Sequence, residues 1–427
     1  MVLNHSIVGA ISRKVTMLAN ENTRKNRLAF GAEIVTYDDA RRAAKRRLPR
    51  MIYDFIDGAA GRETAPARNR ASFDAVNLQP RALRNVTERC LKTHLLGQVF
   101  DAPFGIAPMG MCGLTYPGAD QIMADQCTAR NIPLGLSTAA SIPLENMRQL
   151  AGDNAWFQLY ASGSTEQTMS FVERAKQAGY QKLILTVDVP QVSRRVRDHK
   201  NGFEVPFRIG PKQFLDFALH PQWSLSMLWH GIPETANYKH PNSGGFDRNS
   251  SRAGADWTFL DQLRQVWSGE LIIKGVTSTE DARHIQAAGA DAIWVSNHGG
   301  RQLDSAPSSV TLLPPIRAAV GPNYPVIFDS GVRHGEDVIK ALALGADFVM
   351  LGRPVMFALG AAGGRGLRAY LDEVTLEIST AMAQIGTCSV PDITPQCLYG
   401  DTQISPALTT ENIALIPTEH HKTGGHR

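Results

Sequence analysis

The run Ser296-Asn297-His298-Gly299-Gly300-Arg301-Gln302-Leu303-Asp304 sets a titratable base and a fixed cation three residues apart, with two glycines between them. Histidine changes charge near neutral pH and can accept a proton in a reaction run there. Arginine stays charged and can hold a carboxylate through two parallel hydrogen bonds. The glycines let the backbone approach a bound molecule closely. Together they suit removal of a proton from a small anionic substrate, with His298 as base and Arg301 on the carboxylate. The apolar run Ala292-Ile293-Trp294-Val295 comes immediately before. The motif therefore reads as the end of a buried strand opening into a loop.

The elements that would position such a loop recur along the chain. Short apolar runs at residues 104–107, 132–138, 156–160, 182–188, 271–276, 292–298, 325–331 and 348–353 predict eight strands. They are rich in Ile, Val, Leu and Phe with little alternation, as in parallel strands buried on both faces. Helical stretches at 166–178, 278–288 and 336–344 lie between them. Eight such units predict an α/β fold, a (β/α)8 TIM barrel with its active site at the C-terminal strand ends.

Those ends carry the chemistry. The first delivers Ala107-Pro108-Met109-Gly110, small enough to lie against a flat ring, the second Ser137-Thr138, and the third Gln158 and Tyr160. The fourth delivers Thr186 and Asp188, followed by Arg194 and Arg195, and the fifth Lys274. The sixth gives Ser296 and His298, the seventh Asp329-Ser330-Gly331-Val332-Arg333, and the eighth Gly352-Arg353. Glycine and arginine after the last two strands fit the usual phosphate site of such a barrel. A single Ser, Thr or Gln here is as well explained by an ordinary strand-end hydrogen bond, but chance does not readily furnish all eight ends.

The rest of the chain narrows the function classes. With 427 residues, 43% apolar and 20% charged, it can bury a sizeable core. Net charge is only +4, and no basic block alternates with aromatics, which argues against a nucleic-acid partner. Cys90, Cys112, Cys127, Cys388 and Cys397 show no CxxC pairing. They read as reduced thiols of a cytoplasmic protein, with no disulfide frame and no metal site. No apolar stretch reaches the roughly 18–20 residues of a spanning helix.

The expected organisation is a basic extension at 1–35, disordered or for targeting, and an N-terminal helical cap at 36–99. The barrel follows at 100–393, and a polar tail at 394–427 contains His420 and His421, which are not expected to bind metal. About eighty residues between the fourth and fifth strands exceed any ordinary barrel loop. This insertion, about 199–256, holds the apolar segments 203–207, 214–219 and 223–229. A lid with some local core is the favoured reading, ahead of a subunit contact or a membrane-surface patch.

The chain resembles the FMN-dependent L-2-hydroxy-acid oxidases and dehydrogenases over residues 37–393. The block from Ser296 to Asp304 carries the resemblance, together with Gln158-Leu159-Tyr160, Thr186-Val187-Asp188, Lys274-Gly275 and Leu351-Gly352-Arg353 in order. His220-Pro221-Gln222-Trp223 and Trp229-His230-Gly231 in the insertion look most like the bacterial membrane-associated L-lactate and mandelate dehydrogenases. The resemblance implies oxidation of an L-2-hydroxy acid to the 2-oxo acid with FMN as cofactor. It also implies a quinone or electron-transport acceptor, peripheral membrane contact through the insertion, a homotetramer, and a cytoplasmic place that includes the inner face of the membrane.

Residue by residue, the resemblance makes His298 the base and Asp188 its partner. Arg195 and Arg301 would clamp the substrate carboxylate, and Tyr160 would hydrogen-bond the substrate. Ser137, Gln158, Thr186, Ser296 and the backbone of Ala107, Pro108, Met109 and Gly110 would hold the flavin ring. Lys274 would lie where negative charge builds on reduction. Asp329, Gly331, Arg333, Gly352 and Arg353 would bind the ribityl chain and phosphate.

Three departures stand out. The family's early Tyr-Asp-Tyr is Tyr53-Asp54-Phe55 here, which implies one hydrogen bond fewer to the carboxylate and more apolar room. The loop after it is Gly58-Ala59-Ala60-Gly61-Arg62-Glu63 instead of the usual Gly-Gly-Ala-Glu-Asp. Pro108-Met109-Gly110 stands where many members have Pro-Thr-Ala or Pro-Thr-Gly, and glycine at the third position, without a methyl, implies space for a substrate bulkier than glycolate. An O2-dependent oxidase releasing peroxide is the competing enzyme reading. A non-catalytic flavin-binding protein is disfavoured because His298, Arg301 and Lys274 are all present.

Overall fold

Thr36 starts the first helix with a reciprocal cap. Its hydroxyl accepts from the Asp39 amide at 3.2 Å, and the Asp39 carboxylate accepts from the Thr36 amide at 3.0 Å. The computed structural model describes residues 34–161, 163–204, 209–240, 245–248 and 250–400. The expected extension up to residue 33, segment 205–207 of the insertion, and the tail from 401 with His420 and His421 lie outside the described residues. Helix α1 (Tyr37–Arg47) ends before Pro49, and α2 (Arg50–Asp57) and α3 (Thr64–Asp74) follow. An antiparallel hairpin comes next, β1 (Thr93–Leu95) and β2 (Gln98–Phe100).

Eight parallel strands then close on themselves. They are β3 (Phe104–Met109), β4 (Leu134–Ser137), β5 (Ala155–Leu159), β6 (Lys182–Thr186), β7 (Glu270–Val276), β8 (Ala292–Val295), β9 (Val326–Phe328) and β10 (Phe348–Leu351). Closure pairs β10 with β3, Val349 opposite Phe104 and Leu351 opposite Ile106. The predicted TIM barrel is the observed fold. Its outer layer contains α4 (Ala119–Arg130), α5 (Leu144–Ala151) and α6 (Thr165–Gln177). The insertion adds α7 (Val196–Asn201), α8 (Pro211–Ala218) and α9 (Pro221–His230). The outer layer resumes with α10 (Trp257–Val266), α11 (Thr279–Ala287), α12 (Ser309–Val320), α13 (Gly335–Ala343) and α14 (Arg353–Ile385), the last broken at Ala362 and Gly363.

Successive side chains of a strand point to opposite faces. Leu183 and Leu185 of β6 pack outward in the large core shared with the helices, while Ile184 joins Trp156, Ile272, Trp294, Ile327 and Phe348 inside the barrel. Both faces are apolar, so the sequence shows no alternation. Phe100 of the hairpin joins the interior cluster, its ring 6.1 Å from Trp156 and 5.5 Å from Phe348, edge-on to each. Residues 93–100 therefore plug the N-terminal mouth, a β element inside a region expected to be helical.

On five of the strands the inward face turns polar two residues beyond its last apolar side chain: Trp156 then Gln158, Ile184 then Thr186, Ile272 then Lys274, Trp294 then Ser296, Ile327 then Asp329. The period of two thus delivers a ring of polar groups to the C-terminal mouth. The predicted tail begins too early at 394. Residues 388–399 fold back against 77–90, with Cys90 N–H to Cys388 O at 2.8 Å and Tyr399 N–H to Asn77 O at 2.9 Å. Cys397 and Leu398 are buried there. All five cysteines are free thiols.

The insertion sits over the C-terminal mouth and is tied to it. Trp223 Nε1 donates to Leu114 O at 2.8 Å, and Asn237 Oδ1 accepts from Leu144 N–H at 2.8 Å. The Asp216 carboxylate of α8 accepts from the Arg50 and Met51 amides at 3.0 and 3.2 Å. Pro49, at the N-cap of α2, offers no side-chain hydrogen bond, so Asp216 satisfies these donors from a distance. The outer faces of α8 and α9 leave Phe214, Leu215, Leu219, Leu225, Leu228 and Trp229 exposed. Among the described residues no helix is long and apolar enough to cross a membrane.

Candidate active site

The loop after β8 turns through three consecutive left-handed residues, His298 (φ 55), Gly299 (φ 63) and Gly300 (φ 76). A histidine in that region is strained and must be held by its surroundings. The His298 amide donates to Ser296 Oγ at 3.0 Å, the Gly299 amide to Ser330 Oγ at 2.9 Å, and the Gly300 amide to Asn297 Oδ1 at 3.2 Å. Asn297 exchanges amide hydrogen bonds with Asn69 of α3, at 2.9 and 2.7 Å. A Cβ on Gly299 would stand 2.6 Å from Arg353 Nη1, so only glycine lets that guanidinium reach Gly299 O at 2.7 Å.

His298 Nδ1 lies 3.1 and 3.2 Å from the two Asp188 oxygens. Burial pushes the His298 pKa down, and the Asp188 charge recovers only part, so it stays below the ordinary 6.5. Burial also acts to raise Asp188, but the charges of His298 and Lys274 outweigh it and hold the carboxyl below its usual range. At neutral pH the pair is a neutral imidazole donating Nδ1–H to a carboxylate, which leaves the Nε2 lone pair free to accept a proton. Gly275 (φ 104) makes the arrangement fit, since a Cβ there would lie 2.5 Å from Asp188 Cβ.

Lys274 is buried beside them. Its Nζ donates to Ser296 Oγ at 3.0 Å and pairs with Asp329 Oδ2 at 3.2 Å. Burial opposes its charge, yet Asp329 and Asp188 prevail and raise its pKa, so it is a permanent cation. Arg301 Nη1 donates to the carbonyls of Phe55 (2.9 Å) and Gly58 (2.8 Å) at the end of α2. Arg353 Nε and Nη2 reach Ile56 O and Gly58 O at 3.0 and 2.9 Å. Among the described residues no carboxylate pairs with either guanidinium. Burial, then the charges of Arg195 and Arg353, push the Arg301 pKa down. Burial and Arg248 push Arg195 down to about 10. Cations that destabilise one another this way form a preformed anion site.

These groups surround a cavity of about 500 Å³ at the C-terminal mouth. Phe55, Ala107, Pro108, Met109, Gly110, Ser137, Tyr160, Arg195, Lys274, His298, Arg301, Asp329, Gly331, Arg333, Gly352 and Arg353 all line it, as the sequence placed them. Gln158, Thr186, Asp188 and Ser296 are not on its wall. Asp188 acts on the wall through His298, and Ser296 through Lys274 and Asp329.

Phe55 does not simply leave room. Its ring stacks on Phe203 of the insertion, centroids 4.4 Å apart and planes 8° apart, with Arg301 over it at 5.4 Å. Gly110 likewise faces the next strand end: a Cβ there would meet Ala139 Cβ at 3.2 Å and Ser137 Oγ at 3.7 Å. The methyl it lacks is a close approach of the β4 loop. Asn69, Arg197 and Arg252 were not foreseen, and Ser330 was read only as part of the seventh strand end, without a role. Arg197 binds Asp54 (3.0 Å), Asp57 (2.9 Å) and Glu63 (2.7 Å), which clamps the α2 loop over the mouth. Only the serine beside Asp329 had a local signal; the other three belong to distant segments.

Buried Gln158 Nε2 and Thr186 Oγ1 have no partner among the described residues. Helix α14 begins at Gly352 without a side-chain cap. Arg333 lies over the Tyr37 ring at 4.8 Å, with its amide on Asp337. Orphaned donors and acceptors beside a buried lysine fit the polar edge of a flat ring, and an uncapped helix start with two arginines fits a phosphate. The residues present therefore fit FMN.

Comparison with known proteins agrees with this geometry. The model of the FMN-dependent dehydrogenase family matches residues 44–400. The chain is 36% identical over 370 residues to the (S)-mandelate dehydrogenase of Pseudomonas putida, covering 85% of this chain and 93% of that protein. It is 36% identical over 369 residues to the L-lactate dehydrogenase of Pseudomonas syringae pv. syringae, covering 84% and 97%. The crystal structure of the monotopic membrane protein (S)-mandelate dehydrogenase superposes with a TM-score of 0.82 at 37% identity, over 87% of this chain and all of that one. With the match spanning the barrel and every strand end of the site, the chain belongs to the FMN-dependent dehydrogenase family.

Proposed function

We propose that the protein oxidises an L-2-hydroxy acid of the lactate or mandelate kind to the 2-oxo acid, and that it passes the electrons to a quinone or another electron-transport component. The observation that carries this is His298, held from behind by Asp188, facing the same cavity as Arg195, Arg301 and Lys274. Arg195 and Arg301 hold the substrate carboxylate, and Tyr160 bonds the substrate hydroxyl or carboxylate. His298 Nε2 takes a proton, and the imidazolium so formed is stabilised by Asp188. FMN, when bound, supplies the electron acceptor for the α-carbon.

Lys274 offers a fixed positive charge against the ring edge where negative charge accumulates. Gln158, Thr186, Ser137, Ser296 and the backbone of residues 107–110 hold the ring. Asp329, Gly331, Arg333, Gly352 and Arg353 hold the ribityl chain and phosphate. Arg353 already donates to three carbonyls, so the amides at the start of α14 carry a large share of the phosphate contact.

The exposed apolar faces of α8 and α9 support a peripheral seat on a lipid surface, and its place on the inner face of the membrane comes from the resemblance. The homotetramer belongs to this reading through the resemblance alone. Anaerobic mixing of the FMN-loaded protein with L-lactate and L-mandelate, followed near 450 nm, tests the chemistry. Bleaching by an L-acid and not by its D-isomer is expected. Rapid recovery of the yellow colour on admitting air would replace the dehydrogenase with an O2-using oxidase.

A further inference from the structure

The cations around the cavity differ in what holds them. Arg41 and Arg197 are paired with Asp57, Asp54 and Glu63, Lys274 with Asp329, and Arg248 with Asp198. Arg301 and Arg353 are held by carbonyls at the end of α2. Arg252, which reaches the cavity from the end of the insertion, has none of these. Its guanidinium makes no hydrogen bond or ion pair to any described residue, and Nε is buried without a partner. The guanidinium lies 4.5 Å from the centre of the Tyr160 ring. Its backbone amide is anchored on Pro190 O at 2.9 Å, just after β6.

A partly buried guanidinium left without an acceptor is costly, and a ring face recovers only part of what water would provide. Such a group in a substrate cavity calls for a ligand that satisfies it. Arg195 and Arg301 already answer to the carboxylate next to the reacting carbon. A substrate with one carboxylate would leave Arg252 unpaired in the closed complex, whereas a second acceptor would pair it.

We propose that Arg252 recognises an anionic group on the side chain of the substrate, so that the preferred substrate is an L-2-hydroxy acid bearing a second carboxylate. This rests on the reading of the cavity as a 2-hydroxy-acid site. A site built to bond a polar group discriminates strongly against the analogue lacking it, because its own buried donor is then left dry. Arg252 is thus a specificity residue, acting from the insertion on the side of the cavity next to Tyr160.

The test uses the full-length FMN-loaded protein as wild type, R252M and R252K. L-Lactate and L-2-hydroxyglutarate are compared as reductants of the flavin under anaerobic conditions. Pyruvate and 2-oxoglutarate are titrated against the flavin absorption spectrum, which reads binding without turnover. In the wild type the diacid of each pair should be favoured about tenfold or more, in kcat/KM and in Kd. R252M should bring both ratios near one, and R252K should keep part of the preference. A wild-type ratio at or below one, or a ratio unchanged in R252M with full FMN content, overturns the proposal. Should neither hydroxy acid bleach the flavin while 2-oxoglutarate binds in an Arg252-dependent way, the oxidation reading fails and the role of Arg252 stands. Should lactate bleach it while R252M moves neither ratio, the reverse holds.

Discussion

At the scale of single residues, the site works by keeping one imidazole neutral beside one carboxylate. Burial alone would leave His298 a poor proton acceptor, and Asp188 supplies the charge that stabilises the imidazolium once formed. Asp188→Asn removes that charge while keeping the side-chain volume. The expected result is a fall in kcat/KM of about 10²-fold or more with FMN content unchanged, read by steady-state kinetics and flavin absorbance. The pH profile follows from the direction of the shift. A base whose pKa is depressed below 6.5 is already neutral at pH 7. Activity should therefore be flat around neutrality and fall only as pH drops below that value, and a limb centred above pH 7 would contradict the assignment.

Among the elements, α2 connects the insertion to the arginines. Its first amides rest on Asp216 of α8, and its last carbonyls hold Arg301 and Arg353. Asp216→Ala frees the N-terminal end, a loss of about 1 kcal/mol of capping. Substrate KM and the Kd of FMN should each rise about fivefold, with kcat nearly unchanged. A drop confined to kcat would show that α2 does not position these groups.

Helix α4 offers a separate test of stability. Asp120 is buried, its Oδ1 has no partner among the described residues, and burial raises its pKa from 3.8 to about 6. The folded state then holds this proton more tightly than the unfolded chain. Its contribution is fully present below pH 3.8 and is lost as pH rises through about 6. Asp120→Asn should raise Tm at pH 8 more than at pH 5, as followed by thermal unfolding.

Over the whole molecule, six of the exposed large apolar side chains cluster on α8, α9 and the turn between them. Phe214, Leu219, Leu228 and Trp229 are each more than two-thirds exposed, beyond what an isolated surface leucine would signify. This cluster is the surface on which the proposed seat at a bilayer interface rests. The double substitution Leu228→Ser with Trp229→Ser should cut co-sedimentation with phospholipid vesicles several-fold. Turnover with a soluble dye acceptor should remain within about twofold, because neither side chain lines the cavity. Equal sedimentation of both proteins would move the contact elsewhere.

The order of eight apolar runs determined the barrel, because each parallel strand needs a buried stretch and each crossover a helix. The polar residue closing each run determined which side chains would meet, because a barrel brings all its C-terminal strand ends to one mouth. His298, Arg301, Lys274 and Asp329 were legible for that reason, and the exposed insertion was legible from its length. Tertiary structure decided what depends on distant segments lying side by side. The Asn69–Asn297 exchange joins residues 228 apart in sequence, and no local pattern predicts it. The Phe203 ring behind Phe55, the Ala139 methyl opposite Gly110 and the Asp216 carboxylate under α2 are of the same kind. The hairpin at 93–100 was missed because three-residue strands carry too little periodicity to read, and only the empty mouth of the barrel gives Phe100 a place to be buried.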